Sequence, residues 1–129
     1  MPLRFLATRK VTIDAAHQLK GLEDGHPCGR VHGHTYEFGI TVSSTSLDDT
    51  GMVVDFGLLA AVVRTLDHRL LNDIIPQPTA ENIAKYVWDE IELRILRQVN
   101  ATTQPQDAVR IESIVVKETA NCSVTLQRG

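Results

Sequence analysis

Three histidines stand where a divalent cation could use them: His17, and the pair in His32-Gly33-His34. Residues two apart on a strand point to the same side, so the imidazoles of His32 and His34 can face one point. His17 closes a stretch in which Val11, Ile13 and Ala15 fall at alternate positions, and it shares their side. Pairing that stretch by its apolar face with the one opened by His34 would gather three imidazoles at one end. Three neutral imidazoles around a tetrahedral ion, with the fourth position open, describe a catalytic zinc site. The glycine between the paired ligands has no side chain to crowd the opposite face. A His-x-His triplet alone is often just two histidines. The third imidazole ending the neighbouring stretch, with a cysteine close by, is what favours metal.

That cysteine is Cys28, four residues before His32. As a fourth ligand it would close a structural site of one cysteine and three histidines. As an unligated thiolate, lowered in pKa by the cation and by Arg30, it would serve as a base or nucleophile. The residues by themselves leave both roles open, and a disulfide to Cys122 is disfavoured in a reducing compartment. Cys122 reads as a small buried residue. Asp67-His68 follows a helical stripe, where a histidine is commonly a surface group stabilised by the helix dipole. The functional reading makes His68 a proton-transfer group and Asp67 its orienter. Glu118 ends a mostly apolar strand. Such a carboxylate is usually solvated, yet a partly buried one could grip a guanidine-like edge through paired hydrogen bonds. His26, beside Pro27 in a glycine-rich segment, reads as an exposed loop residue.

The elements that must position these groups follow from periodicity. Leu3–His17 and His34–Ser44 alternate with period two and predict two antiparallel strands, with Tyr36, Phe38, Ile40 and Val42 on one face of the second. Asp55 can cap a helix whose stripe is Leu58, Leu59, Val62, Val63 and Leu66. Thr79 is the expected cap of a longer helix, with Glu81 in its first turn and Ile83, Ala84, Val87, Trp88, Ile91 and Ile95 on one face. Ala101–Asp107 is polar and reads as a loop. Val109–Glu118, with Val109, Ile111 and Val115 among its apolar residues, and Ser123–Gln127 predict two closing strands. The expected fold is a single α+β domain: a four-stranded antiparallel sheet with two helices on one face. Its two open edges invite pairing with another chain, so an oligomer is expected.

Composition bounds the rest. With 129 residues, 43% hydrophobic and 22% charged, the chain is one domain's worth and ordinary for a globular protein. Thirteen Lys+Arg against sixteen Asp+Glu leave a net charge of −3, no footprint for duplex nucleic acid. No apolar run approaches the roughly 20 residues that span a bilayer, and no secretory leader opens the chain. Two cysteines point to a reducing, cytoplasmic setting.

Taken together, Ala15-Ala16-His17, Cys28 through His34, Gly51 through Phe56, Leu66 through Asn72, Pro78 through Asn82 and Lys117-Glu118-Thr119 resemble the 6-pyruvoyl-tetrahydropterin synthase family. They stand in the family's order and span nearly the whole chain. The resemblance implies the tunnelling fold, of ββααββ order, whose trimers close their sheets into a barrel. Two trimers stack into a hexamer with active sites between subunits. It further implies that His17, His32 and His34 hold zinc and that Cys28 is the base. Asp67 and His68 would form a relay, Glu118 would anchor a pterin ring, and Thr79 would line the same pocket. The implied substrate is 7,8-dihydroneopterin triphosphate. Zinc would bind its side-chain hydroxyls while Cys28 or His68 removes a carbon-bound proton, and triphosphate is then eliminated. In the family's 6-carboxy-tetrahydropterin branch the side chain is also cleaved to acetaldehyde, leaving 6-carboxy-5,6,7,8-tetrahydropterin, a precursor of queuosine and related deazapurines. Three residues between the cysteine and the first histidine of His-Gly-His match that branch, whereas the animal pyruvoyl branch carries a longer insert. Departures are Ile13-Asp14, where an aromatic often precedes Ala-Ala-His, and a long polar stretch over Gln98–Asp107. An alternative of another class is a non-catalytic interaction domain stapled by zinc, with Cys28 as the fourth ligand.

Overall fold

The computed structural model describes residues 3–100 and 108–129, so the loop expected over 101–107 lies outside the described residues. Strands β1 (Phe5–His17) and β2 (His32–Ser44) are joined through a short 3-10 turn, Pro27–Gly29. Helix α1 (Phe56–Arg64) follows, then a second 3-10 turn, Leu71–Asp73, and helix α2 (Ala80–Gln98). Strands β3 (Arg110–Thr119) and β4 (Cys122–Gln127) close the chain. The sheet runs in the order β1-β2-β3-β4, antiparallel throughout. Both helices pack on one of its faces, α1 over β1 and α2 over β3 and β4.

Both helix starts follow from capping chemistry. Asp55 accepts a hydrogen bond from the Gly57 amide and Thr79 from the Asn82 amide, so each side chain satisfies a donor the helix leaves unpaired. The stripes are buried as their spacing predicts except at Leu58 and Trp88, which are partly so, and Leu66 is fully buried in the turn after α1. Under them lie Val11, Ile13 and Ala15 of β1 and Tyr36, Phe38, Ile40 and Val42 of β2. Burying each large apolar side chain stabilises the fold by about 1.5–3 kcal/mol. The opposite face is polar: Thr8 bonds Thr41 across the strands, Thr35 donates to Asp14, and Lys10 pairs with Glu37.

The β2–β3 ladder carries one irregularity, and one expectation needs correction. Glu112 is skipped in the pairing: Thr41 faces Ser113 while Val42 faces Ile111. The extra residue is a bulge that resets the alternation, so Ile114 and Val116 point inward. Cys122 is exposed rather than buried. It opens β4 beside the hairpin turn, ahead of Val124 and Leu126, which alone reach the core from that strand.

Candidate metal centre and active site

The register of β1 and β2 builds the centre. His17 stands opposite His32 and Ala15 opposite His34, so all three imidazoles emerge on the helix-covered face at one end of the sheet. Glu118, near the end of β3, adds a carboxylate, and the four ligand atoms lie within 4.8 Å of one another. Ring centroids of the three imidazoles are 4.5 to 5.1 Å apart. His17 is fully buried, and the other three members are partly so.

Hydrogen bonds behind the rings decide which nitrogen each presents. Nδ1 of His17 lies 2.7 Å from the Pro78 carbonyl oxygen, and Nδ1 of His32 lies 2.7 Å from that of Arg30. A carbonyl only accepts, so both Nδ1 atoms carry hydrogen and both Nε2 atoms of the neutral rings are bare. Those bare atoms face each other at 2.9 Å. Two lone pairs at that distance need a positive charge between them. With His34 Nε2 and a carboxylate converging on the same point, the donor set suits a metal cation better than a shared proton. The carbonyls behind His17 and His32 are the outer partners that fix a ligand's tautomer. In a tetrahedral site with bonds near 2.05 Å the nitrogens would sit about 3.3 Å apart, a few tenths wider than here.

Nε2 of His34 is buried without a hydrogen-bond partner among the described residues. Glu118 Oε1 lies 3.0 Å away and 3.6 Å from His17 Nε2, within ion-pair range but off the line of a hydrogen bond. Burial lowers the His34 pKa below the usual imidazole range, and Glu118 only partly opposes this. The ring is therefore neutral at neutral pH, as a metal ligand must be. Behind it, the fully buried Tyr36 ring meets His17 and His34 edge-on.

Cys28 sits in the 3-10 turn, half-buried and without a disulfide. It is not among the atoms that converge on the cation position; the fourth donor there is Glu118. The closed site of three histidines and Cys28 is thus not what one chain builds. Asp67 and His68 do form a pair, Oδ1 to Nδ1 at 3.0 Å. His68 has a left-handed backbone (φ 59°), stabilised by its amide bond to the Asp14 carbonyl and by the Asp14 amide bond to Asp67. That Asp14 amide, followed by the His68 ring, holds the Asp67 carboxyl below the ordinary carboxylate range. Yet the His68 side chain is 79% exposed and lies outside the imidazole cluster. It borders an open cavity of about 530 Å³ with Asp14, Gly33, His34, Thr35 and Leu70. A Cβ on Gly33 would meet only the Ala15 carbonyl, at 3.6 Å, so what the glycine preserves is the floor of that cavity. Thr79 is occupied as helix cap, with its hydroxyl oxygen accepting from Asn82.

Sequence reasoning passed over two kinds of residue. Backbone carbonyls such as those of Pro78 and Arg30 carry no side-chain signal. The amides Asn72 and Gln77 each exchange two hydrogen bonds with the backbone, of Gln18 and Lys20 respectively, and tie down the segment that leaves β1.

The sequence matches the family described as 6-pyruvoyl tetrahydropterin synthase over residues 7–129. A Bacillus subtilis protein named 6-carboxy-5,6,7,8-tetrahydropterin synthase is 36% identical over 118 residues, covering 84% of this chain and 80% of its own length. A Rickettsia bellii protein of the same name is 30% identical and covers 91% of this chain and 96% of its own. In fold, the chain is similar to Caenorhabditis elegans 6-pyruvoyl tetrahydropterin synthase, with a TM-score of 0.71, 22% identity, and 98% and 97% of the two chains covered. It is also similar to an uncharacterized protein from Wolinella succinogenes, with a TM-score of 0.74, 16% identity, and 98% and 99% covered. Sequence match, fold and the order of the motifs agree, and the chain belongs to the 6-pyruvoyl tetrahydropterin synthase family.

Proposed function

We propose that this chain is a zinc-dependent 6-carboxy-5,6,7,8-tetrahydropterin synthase acting on 7,8-dihydroneopterin triphosphate. The observation that carries the reading is the pair of bare imidazole nitrogens of His17 and His32, joined by His34, in a chain of this family. Zinc fits the three neutral imidazoles; with the adjoining Glu118 carboxylate taken by the pterin, one position is left for substrate, and when bound the ion supplies Lewis-acid polarisation of the substrate's side-chain oxygens. Cys28, as thiolate, accepts the carbon-bound proton. His68 returns or relays protons, with Asp67 holding its Nδ1–H so that Nε2 is the working atom. Glu118 accepts the ring N–H and amino hydrogens of the pterin, and the Thr79 hydroxyl hydrogen supplements it. Triphosphate leaves and the side chain is cleaved to acetaldehyde, which suits a supply of queuosine or related deazapurine precursors. The alternative product, from elimination without cleavage, is a 6-pyruvoyl pterin. The spacing from Cys28 to His32 and the names of the curated relatives favour the carboxy product.

Incubation with 7,8-dihydroneopterin triphosphate is expected to yield 6-carboxytetrahydropterin by mass together with stoichiometric acetaldehyde. A pyruvoyl product without acetaldehyde would select the alternative, and no turnover by metal-loaded protein would sink both.

The His68 side chain is largely exposed and outside the imidazole cluster, which supports an assembly in which a second copy supplies the dyad. Strands β1 and β4 are the two sheet edges, and the 67–70 segment covers the Asp14–Ala16 end of β1. Edge-to-edge pairing of three copies would close a barrel, two such trimers would stack into a hexamer, and the assembly would bring the His68 of one chain to the Cys28 of another. Cys28→Ala and His68→Ala subunits, each nearly inactive alone, should therefore recover activity when co-assembled, to about one quarter of wild type by random mixing. No recovery would place both groups in one chain. No helix among the described residues is long and apolar enough to cross a membrane, and a cytoplasmic setting accords with the unpaired thiols.

A further inference from the structure

We propose that His26 is a positioning residue for Cys28, an inference that rests on the reading of Cys28 as the base. Besides the main-chain bonds that close the turn, from the Gly29 and Arg30 amides to the His26 and Pro27 carbonyls, three hydrogen bonds hold the turn that bears the thiol. The Leu19 amide donates to the Cys28 carbonyl at 2.9 Å, and the Gln18 side-chain amide donates to the Gly29 carbonyl at 2.9 Å. The Cys28 amide donates to Nδ1 of His26 at 3.0 Å. Only this last bond fixes the amide of the reacting residue itself, and only it depends on a titratable side chain.

The bond also dictates the state of the ring. An imidazole that accepts at Nδ1 is neutral and carries its hydrogen at Nε2. His26 thus occupies the N-cap of the Pro27–Gly29 turn, a position where aspartate, asparagine and serine are the ordinary choices. Aspartate would cap equally well but would put a full negative charge two residues from the thiol, and a like charge disfavours the thiolate. A neutral imidazole satisfies the amide without that penalty. Pro27 at the first turn position has no amide to compete for the cap and fixes φ there, so the Cys28 amide is the donor the cap must satisfy. Bonds from Gly29 to the His26 carbonyl and from His26 to the Glu23 carbonyl keep the capping residue itself in place.

The test compares His26→Ala with His26→Asn, whose Oδ1 can accept the same amide hydrogen. A Cys122→Ser background removes the exposed second thiol. In the metal-loaded enzyme, His26→Ala should lower kcat about tenfold with KM and zinc content near wild type, a small misplacement of a reacting group being enough for that loss. His26→Asn should restore kcat to within a few-fold. A second readout does not need turnover: alkylation of Cys28 by iodoacetamide should quicken several-fold in His26→Ala, as the released turn exposes the sulfur, and return to the wild-type rate in His26→Asn. Wild-type kcat in His26→Ala, or an asparagine variant as impaired as the alanine one, would overturn the proposal. If the wild-type chain fails to turn over the pterin at all, the functional reading has failed, and unchanged alkylation in His26→Ala would separately remove His26 from any control of the thiol.

Discussion

Replacing Cys28 with alanine is expected to lower kcat by about 10³-fold, the scale of losing a positioned general base, while zinc content stays at wild-type stoichiometry and the melting temperature moves by no more than about 2 °C. The reason is where the sulfur sits. Cys28 is half-buried in a short turn whose three anchoring bonds use its amide, its carbonyl and the next carbonyl, none of them its side chain. Removing Sγ therefore breaks none of the hydrogen bonds that hold this turn among the described residues. The donors that converge on the cation position are His17, His32, His34 and Glu118, and they keep their places. Metal analysis, thermal melting and single-turnover rates on the same preparation make the comparison. If zinc and fold were lost together, Cys28 would be a ligand and the chain a zinc-stapled module rather than a lyase.

Replacing His17 with alanine should do the opposite: abolish metal binding and cost stability even in the absence of metal. His17 is fully buried, and its Nδ1–H satisfies the Pro78 carbonyl just before the α2 cap. Truncation leaves a cavity and an unsatisfied buried acceptor, together about 2–4 kcal/mol. For a domain of this size that is a drop of about 10 °C against metal-free wild type. The metal-dependent rise expected of wild type, about 2.7 kcal/mol at a hundredfold excess of zinc over Kd, should vanish in the variant. His34→Ala makes the contrast, because its Nε2 has no hydrogen-bond partner to lose; zinc should go while the metal-free fold stays close to wild type. Full zinc stoichiometry in His17→Ala would end the reading of three imidazole ligands.

Much of this was legible in the chain because the signals are local and periodic. Period-two alternation put His17 on the side of Val11, Ile13 and Ala15, and His34 on the side of Tyr36 and Phe38; sharing a buried face was then enough to predict that the rings meet. The caps Asp55 and Thr79 were equally readable, since a side-chain oxygen before an apolar stripe has few other uses. The bulge at Glu112 was not, because one unpaired residue in a ladder depends on the partner strand and leaves no mark in composition. Nor was the exposure of Cys122, which turns on how far the helical layer extends along β4.

The amino-acid order by itself determined which side chains could share a face, which helices would start where, and that a cysteine precedes His-Gly-His by three intervening residues. Only the tertiary structure decided the tautomers, since these depend on carbonyls of Pro78 and Arg30 that no residue type announces. It also decided that Glu118 and not Cys28 adjoins the imidazoles, and that the Asp67–His68 pair stands outside their cluster with the His68 side chain largely exposed. Those outcomes are distances between groups far apart along the chain. Strand register and packing set such distances, whereas periodicity within a segment sets only direction.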